Sequence, residues 1–307
     1  MNNLKIEDIA SKVLGKTSDG NTMMRYETPT YIDKSLLVGI PRYLNREMYN
    51  IEENKLPFVG SDVWNAYEFS CLTYNGFPLS GWLKFTYPSD SINIVESKSV
   101  KLYLNSFNMT KIVKTLADIQ DIEKLISEDL SSVVESKVEV KLSIKDINTV
   151  VPIKGSFIPL EENCDVINID FNNYNENPAI LKVINTENEN VYFWRTHSLR
   201  SNCRVTNQPD YGDVYVYIKS NKTVTTESLL QYIVSMRKEN HFHEEIAECI
   251  YKRLHDLLLP DELLVACLYT RRGGIDINPV RASSQSVLKK YAPIIDVNNF
   301  CTKTLRQ

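Results

Sequence analysis

Residues 63–72, VWNAYEFSCL, and residues 79–87, LSGWLKFTY, alternate apolar and polar side chains, with Asn75-Gly76 between them. Alternation at a period of two is what a half-buried strand requires, and Asn-Gly accepts the positive φ angles of a tight hairpin turn. The pair predicts an antiparallel hairpin, and the rest of the chain reads outward from it. Residues 98–107 follow as a helix. In residues 115–130, Leu116, Ile119, Ile122, Ile126 and Leu130 recur at spacings of three and four, the stripe of an amphipathic helix. Residues 137–144, KVEVKLSI, return to strict alternation and close the unit as a strand.

The same order recurs downstream. A polar stretch, residues 161–190, is rich in Asn, Glu and Asp and reads as connection and irregular structure. Residues 191–197 and 213–218 (DVYVYI) are predicted strands. Residues 228–237 are a predicted helix, apolar at Leu229, Leu230, Ile233 and Val234. Residues 244–258 are a second, with Ala247, Ile250, Leu254 and Leu257 on one face, and residues 263–270 are a final strand. The tail from Ser283 is polar and is expected to be irregular or to lie across the surface. Two strands, two helices and a strand, twice over, point to an α+β protein made by internal duplication. The modules are residues 1–160 and 161–307, each an antiparallel sheet with a helix pair on one face.

A chain of 307 residues is about twice the usual domain size, which agrees with two modules. Hydrophobic residues make up 43% and charged residues 24%, enough apolar material for a sizeable core. The net charge of -4 argues against a general affinity for nucleic acid, which needs a basic face. It leaves room for a local basic pocket that takes a phosphorylated cofactor. Met1 to Gly15 hold no continuous apolar run of the kind a signal peptide needs, and residues 257–259 and 263–268 are too short to cross a bilayer. The six cysteines form no CxxC pair; Cys71, Cys249 and Cys267 lie in apolar periodic segments and read as small core residues. A cytoplasmic protein with reduced thiols is expected, bound to no membrane.

Four segments can carry chemistry. Residues 201–210, SNCRVTNQPD, set Cys203 in a polar, turn-rich connection between two strands, where a thiol is either an ordinary half-buried side chain or a nucleophile. Asp210, after Pro209, suits a turn as well as a catalytic role. Residues 96–107 put Glu96 and Ser97 at a helix start, where free N–H groups favour anions. Lys98 and Lys101 fall on neighbouring turns and can reach one phosphate, or can simply be solvated. Residues 241–245, HFHEE, begin another helix. His241 and His243 are two apart and share no helical face, and no third ligand is at hand, so no metal site is expected. Glu244 fits any first helical turn. Residues 269–279, YTRRGGIDINP, place Arg271 and Arg272 before Gly273-Gly274, a basic turn able to surround a phosphate. Neither GxGxxG nor a Walker sequence is present, so no nicotinamide cofactor follows from the residues alone.

Together these segments resemble the bimodular NADPH-dependent 7-cyano-7-deazaguanine reductases, nitrile reductases of the queuosine tRNA-modification pathway, which belong to the tunnelling-fold superfamily. The resemblance runs from about Ser35 (SLLVGIPR) to Arg281, with Glu96 to Tyr103 carrying the family's cofactor motif. Tyr211 and Val280 stand where the family usually has Trp. The resemblance implies two tandem tunnelling-fold modules joined as a homodimer, with no direct nucleic-acid partner. It implies a covalent thioimide on Cys203, with Asp210 as proton donor and His243 assisting proton movement, and two hydride transfers from NADPH. Val95, Glu96, Ser97, His243 and Glu244 would hold the substrate; one carboxylate accepts the ring and amino donors of a guanine-like edge. Ser97, Lys98, Lys101, Arg272 and Gly273 would hold the cofactor. For Asp210 to be protonated at neutral pH, its pKa must rise from about 3.9 to about 7, ~4 kcal/mol; if it instead relays the thiol proton, a smaller shift suffices.

Three rival readings rank lower. A related enzyme that attacks the thioimide with an amine would lack the motif from Glu96 to Tyr103. A pterin- or purine-binding protein would not need Cys203 together with Asp210. A cysteine hydrolase would want a histidine on the thiol, and His197 is the nearest in sequence.

Overall fold

The computed structural model describes residues 29–307; the reading of Met1 to Gly15, with the rest of residues 1–28, lies outside the described residues. A short ribbon opens the described chain: β1 (Gly39–Pro41) pairs antiparallel with β4 (Asn93–Val95), and the one-turn helix α1 (Tyr43–Arg46) follows β1. The predicted hairpin is β2 (Val59–Thr73) and β3 (Pro78–Pro88), turned at Gly76 with φ 88°. Then come α2 (Ser97–Asn105), β5 (Lys111–Val113), α3 (Asp118–Val134) and β6 (Glu139–Ser143). The second half runs β7 (Ile158–Pro159), β8 (Val183–Asn202), β9 (Pro209–Val224), α4 (Thr226–Ser235), α5 (His243–Leu258), β10 (Glu262–Tyr269), β11 (Ile275–Ala282) and α6 (Gln285–Tyr291).

The two halves join edge to edge in one sheet, in the order β6-β3-β2-β11-β10-β9-β8-β7, with β5 alongside the end of β2. Its long pairings are antiparallel. The join is β2 with β11, in a register that sets Trp64 opposite Ile277 and Asn65 opposite Asp276. Helices α2 to α5 cover one face of this sheet. Val100, Tyr103 and Leu104 of α2 and Ile122, Ile126 and Leu130 of α3 pack on Trp64, Ala66, Leu83 and Phe85. Leu229 and Ile233 of α4 and Ile246, Ile250 and Leu254 of α5 pack on Val214, Val216, Val265 and Cys267. Each such side chain contributes ~1.5–3 kcal/mol on leaving water.

The α+β class and the repeated order hold, and Cys71, Cys249 and Cys267 are buried core thiols. Several expectations need correction. The strand at residues 263–270 is not the last: β11 follows, eight residues all buried. The tail is not irregular, since α6 forms within it and Val287, Leu288, Ile294 and Cys301 cover the sheet's other face against Tyr217, Leu264 and Val280. β8 begins at Val183, inside the stretch read as connection, because β9 pairs with it as far as Val224. Leu116 is exposed ahead of α3, whose first turn is led by Asp118 and Asp121. On α5 the buried residue is Leu258, and Leu257 faces solvent.

Candidate active site

Where β8 turns into β9, residues 203–208 close on themselves. The Cys203 N–H donates to the Gln208 carbonyl at 2.8 Å, the Asn207 N–H donates to the Cys203 carbonyl at 2.9 Å, and Asn207 takes a φ of 54°. Asparagine tolerates that left-handed backbone better than most residues, which is why the turn reads as polar. The strand end is pinned to the segment before α5: Asn202 N–H donates to the Glu239 carbonyl at 2.8 Å and His241 N–H to the Asn202 carbonyl at 3.1 Å. The cysteine turn is thereby held against the start of α5, which carries His243 and Glu244.

Cys203 is half-buried. Burial alone would raise its pKa, but the Thr206 hydroxyl and the N–H groups of Thr206 and Val205 outweigh burial and lower it, against a rise from the charge of Asp210. Asp210 is 3% exposed; one oxygen accepts from Arg272 Nη1 and the other lies 3.4 Å from His243 Nε2. Burial would raise this carboxyl, but His243 and Arg272 together hold it below its ordinary value. The His243 ring stacks on Tyr269 with centroids 3.7 Å apart and planes 6° from parallel. Glu244 is 2% exposed, and its Oε1 has no partner. Burial, with the charge of Asp62 added, pushes its pKa up to about 8.

The first half supplies the opposite wall. β4 ends at Val95, and Glu96 caps α2, accepting from Ser99 N–H at 2.7 Å. Lys101 reaches across to the Gly273 carbonyl at 2.8 Å, and Gly273 has φ 56°. Arg272 donates to Gln208 Oε1 at 2.7 Å as well as to Asp210. These residues enclose a cavity of about 420 Å³ lined by Val95, Ser97, Lys98 and Lys101 from one half. Cys203, Asp210, His243, Glu244, Arg272 and Gly273 line it from the other. Both half-sites belong to one chain. Glu96 does not line the cavity, because its carboxylate is turned to its own helix. His197 is not near the thiol wall either; it lies 3.0 Å from Asp213 and against Arg195. Among the described residues no cluster of metal-ligating side chains is present.

A family model described as the N-terminal part of nitrile reductase, 7-cyano-7-deazaguanine reductase, matches residues 28–142, and one described as QueF-like protein matches residues 209–287. The NADPH-dependent 7-cyano-7-deazaguanine reductase of Colwellia psychrerythraea is 40% identical over 254 residues, 81% of this chain and 86% of that protein. The enzyme of the same name from Rickettsia canadensis is 42% identical over 258 residues, 83% of this chain and 89% of its own length. The one from Rickettsia akari is 39% identical over 285 residues, 91% and 95%. The chain belongs to the 7-cyano-7-deazaguanine reductase family.

For a member of this reductase family, the two departures fall away from the cavity. Val280 is fully buried on the opposite face of the sheet, packed with Leu264 and Val287, and Tyr211 is 39% exposed. The sequence reading missed Trp64, Gln208, Tyr269, Ile275 and Ile277 at this site. Four of them line the cavity, and Tyr269 backs His243. Trp64, Ile275 and Ile277 look like core residues because they are; only the join of β2 to β11 turns them toward a pocket. Gln208 carried a signal in its position inside the cysteine turn. No helix among the described residues is long and apolar enough to cross a membrane.

Proposed function

We propose that the chain reduces the nitrile of 7-cyano-7-deazaguanine to the aminomethyl group of 7-aminomethyl-7-deazaguanine, with NADPH as the reductant. The observation that carries this reading is the convergence of Cys203, Asp210, His243 and Glu244 on one cavity rimmed by Lys98, Lys101 and Arg272. Family membership supports it, since relatives covering most of the chain bear that activity in their names. The rim fits a phosphate-bearing cofactor: it is cationic, and a Cβ at Gly273 would come within 3.0 Å of Lys101 Nζ, so the turn stays bare. Ser97, Lys98, Lys101, Arg272 and Gly273 would hold NADPH, and two NADPH molecules bound in turn would each supply one hydride.

The chain's own residues do the rest. Cys203 Sγ bonds to the nitrile carbon and forms a thioimide. Of the two roles open to Asp210, the lowered pKa favours the relay: the carboxylate takes the thiol proton and hands it to the nitrile nitrogen, so the S–H proton ends on nitrogen. Reduction of a nitrile to an amine by two hydrides consumes two further protons, and His243, 3.4 Å from Asp210, is the residue to deliver them. Val95, Ser97, His243 and Glu244 hold the deazaguanine. Glu96 joins them by turning its carboxylate from Ser97 and Ser99 at the start of α2 into the cavity. The same reading has two tunnelling-fold modules, residues 1–160 and 161–307, in a cytoplasmic homodimer that serves queuosine synthesis.

The test is NADPH oxidation with 7-cyano-7-deazaguanine, run beside Cys203→Ala. Two NADPH consumed per nitrile, and none by the variant, is the expected result. Substrate binding with NADPH untouched would overturn the reductase reading in favour of an amine-adding or binding-only protein.

A further inference from the structure

Beneath Glu244 lies a closed compartment of charge. Arg42, Arg46, Asp62, Glu248 and Arg281 are each no more than 4% exposed. Arg281 donates to Asp62 at 2.8 Å and to Glu248 at 2.9 Å; Arg42 binds Asp62; Arg46 grips both oxygens of Glu248 at 2.8 Å and reaches Glu53 at 2.9 Å. Three guanidiniums thus already face three carboxylates, Asp62, Glu248 and Glu53. Glu244, one helical turn before Glu248, is a fourth carboxyl, and no ion pair joins it to a cation among the described residues. Its other titratable neighbours offer no cation: Tyr87 of β3 and Tyr269 of β10 are buried phenols, and the adjacent His243 is turned to Asp210. A surplus anion there would be buried, unmatched and short of one hydrogen bond, an expensive state.

We propose that Glu244 stands in the free enzyme as a neutral carboxylic acid and loses its proton to solvent when a ligand with adjacent ring and amino N–H donors enters the cavity. This rests on the substrate reading given above. The two incoming donors supply to the carboxylate what the arginines beneath it do not, so recognition and proton release become one event. Burial and Asp62 put the midpoint of the free carboxyl at about 8. Below that pH the apparent dissociation constant rises about tenfold for each unit of acidification, because only the ionised fraction is competent to bind.

The experiment uses Cys203→Ala, which stops the chemistry at noncovalent binding, titrated calorimetrically with 7-cyano-7-deazaguanine in two buffers of different ionisation enthalpy. The expected release is about 0.9 proton per site at pH 7, falling to about 0.1 at pH 9. Infrared difference spectra on binding should show loss of a protonated carboxyl band that Cys203→Ala/Glu244→Gln lacks. Binding with buffer-independent heats and no such band overturns the proposal while leaving the reductase reading standing. Absence of binding at every pH, with wild-type enzyme also inert toward the nitrile, overturns both.

Discussion

Asp210 and Glu244 line the same cavity and are driven in opposite directions. Arg272 and His243 keep Asp210 ionised, while burial beside Asp62 favours the protonated Glu244. Pairs of carboxyls pushed apart in this way divide the proton traffic of a site between them. Arg272→Met removes the cation that holds Asp210 down and that also faces Cys203. Both groups should then titrate higher, so the acid limb of the kcat/KM profile moves to higher pH. With a charge-assisted contact worth ~1.5–3 kcal/mol gone from the rim, KM for NADPH should rise roughly 10–100-fold. A pH profile that does not move would detach Arg272 from Asp210 in function. The linkage of Glu244 to stability has the reverse sign from an ordinary carboxylate. Its pKa is raised by folding, so between about 4.5 and about 8 the folded state holds the extra proton and stability falls as pH rises. Glu244→Gln should therefore melt at a higher temperature than wild type at pH 9, with the gap narrowing below pH 8 and closing towards about pH 4.5.

At the scale of elements, the strands that alternate and the helices that carry stripes were legible, because each buries one face. β11 was not. Its sequence, IDINPVRA, places Asp276, Asn278 and Arg281 among apolar residues, and Pro279 argues against a strand. All eight residues are nonetheless buried, because tertiary partners satisfy the polar ones. Asp276 accepts from Asn65 at 2.7 Å and Tyr67 at 2.5 Å, and Arg281 sits in the ion compartment. Pro279 lies just beyond the last residue of β11 paired with β10, and on the other side it stands opposite Asp62 of β2. The candidate site was legible residue by residue only through the family likeness, since neither Cys203 nor Glu244 departs from what a turn or a helix start allows. The Glu96 cap could be read from its position before α2, but the choice of its carboxylate between helix and cavity could not. Lys84 of β3 shows a further element-level device. Its ammonium donates to the carbonyls of Ile294, Asp296 and Asn299 at 2.7, 2.8 and 2.5 Å and fastens the tail to the sheet. Lys84→Met leaves those carbonyls without that donor; hydrogen exchange of the amides in residues 294–301 should accelerate at least tenfold, with a loss of ~1–3 kcal/mol in stability. Unchanged protection there would mean that the tail is held by its apolar contacts alone.

Across the whole molecule the charged compartment ties the halves together: Arg42, Arg46 and Asp62 come from one, Glu248 and Arg281 from the other. The arginines lower Glu248 to about 2 against its burial, so it contributes stability that is complete above about pH 4.5 and is lost as pH falls towards 2. Glu248→Gln strands buried guanidiniums and should cost ~3–5 kcal/mol at pH 7 by chemical denaturation, with the difference from wild type shrinking in acid. An equal loss at pH 7 and pH 3 would assign the effect to packing. The join of β2 to β11 has a consequence for how the molecule is born. On the ribosome, β2 emerges with β3 beside it and later β5 at its end, and the strand that will cover its other side lies 211 residues later at the Asn65–Asp276 pair. Until then the nascent chain carries an open sheet edge and half a pocket, the state in which strands pair with the wrong partner. Synthesis of the final strand therefore closes the edge and completes the cavity at the same moment, so a chain stalled before Ile275 would be both inert and adhesive.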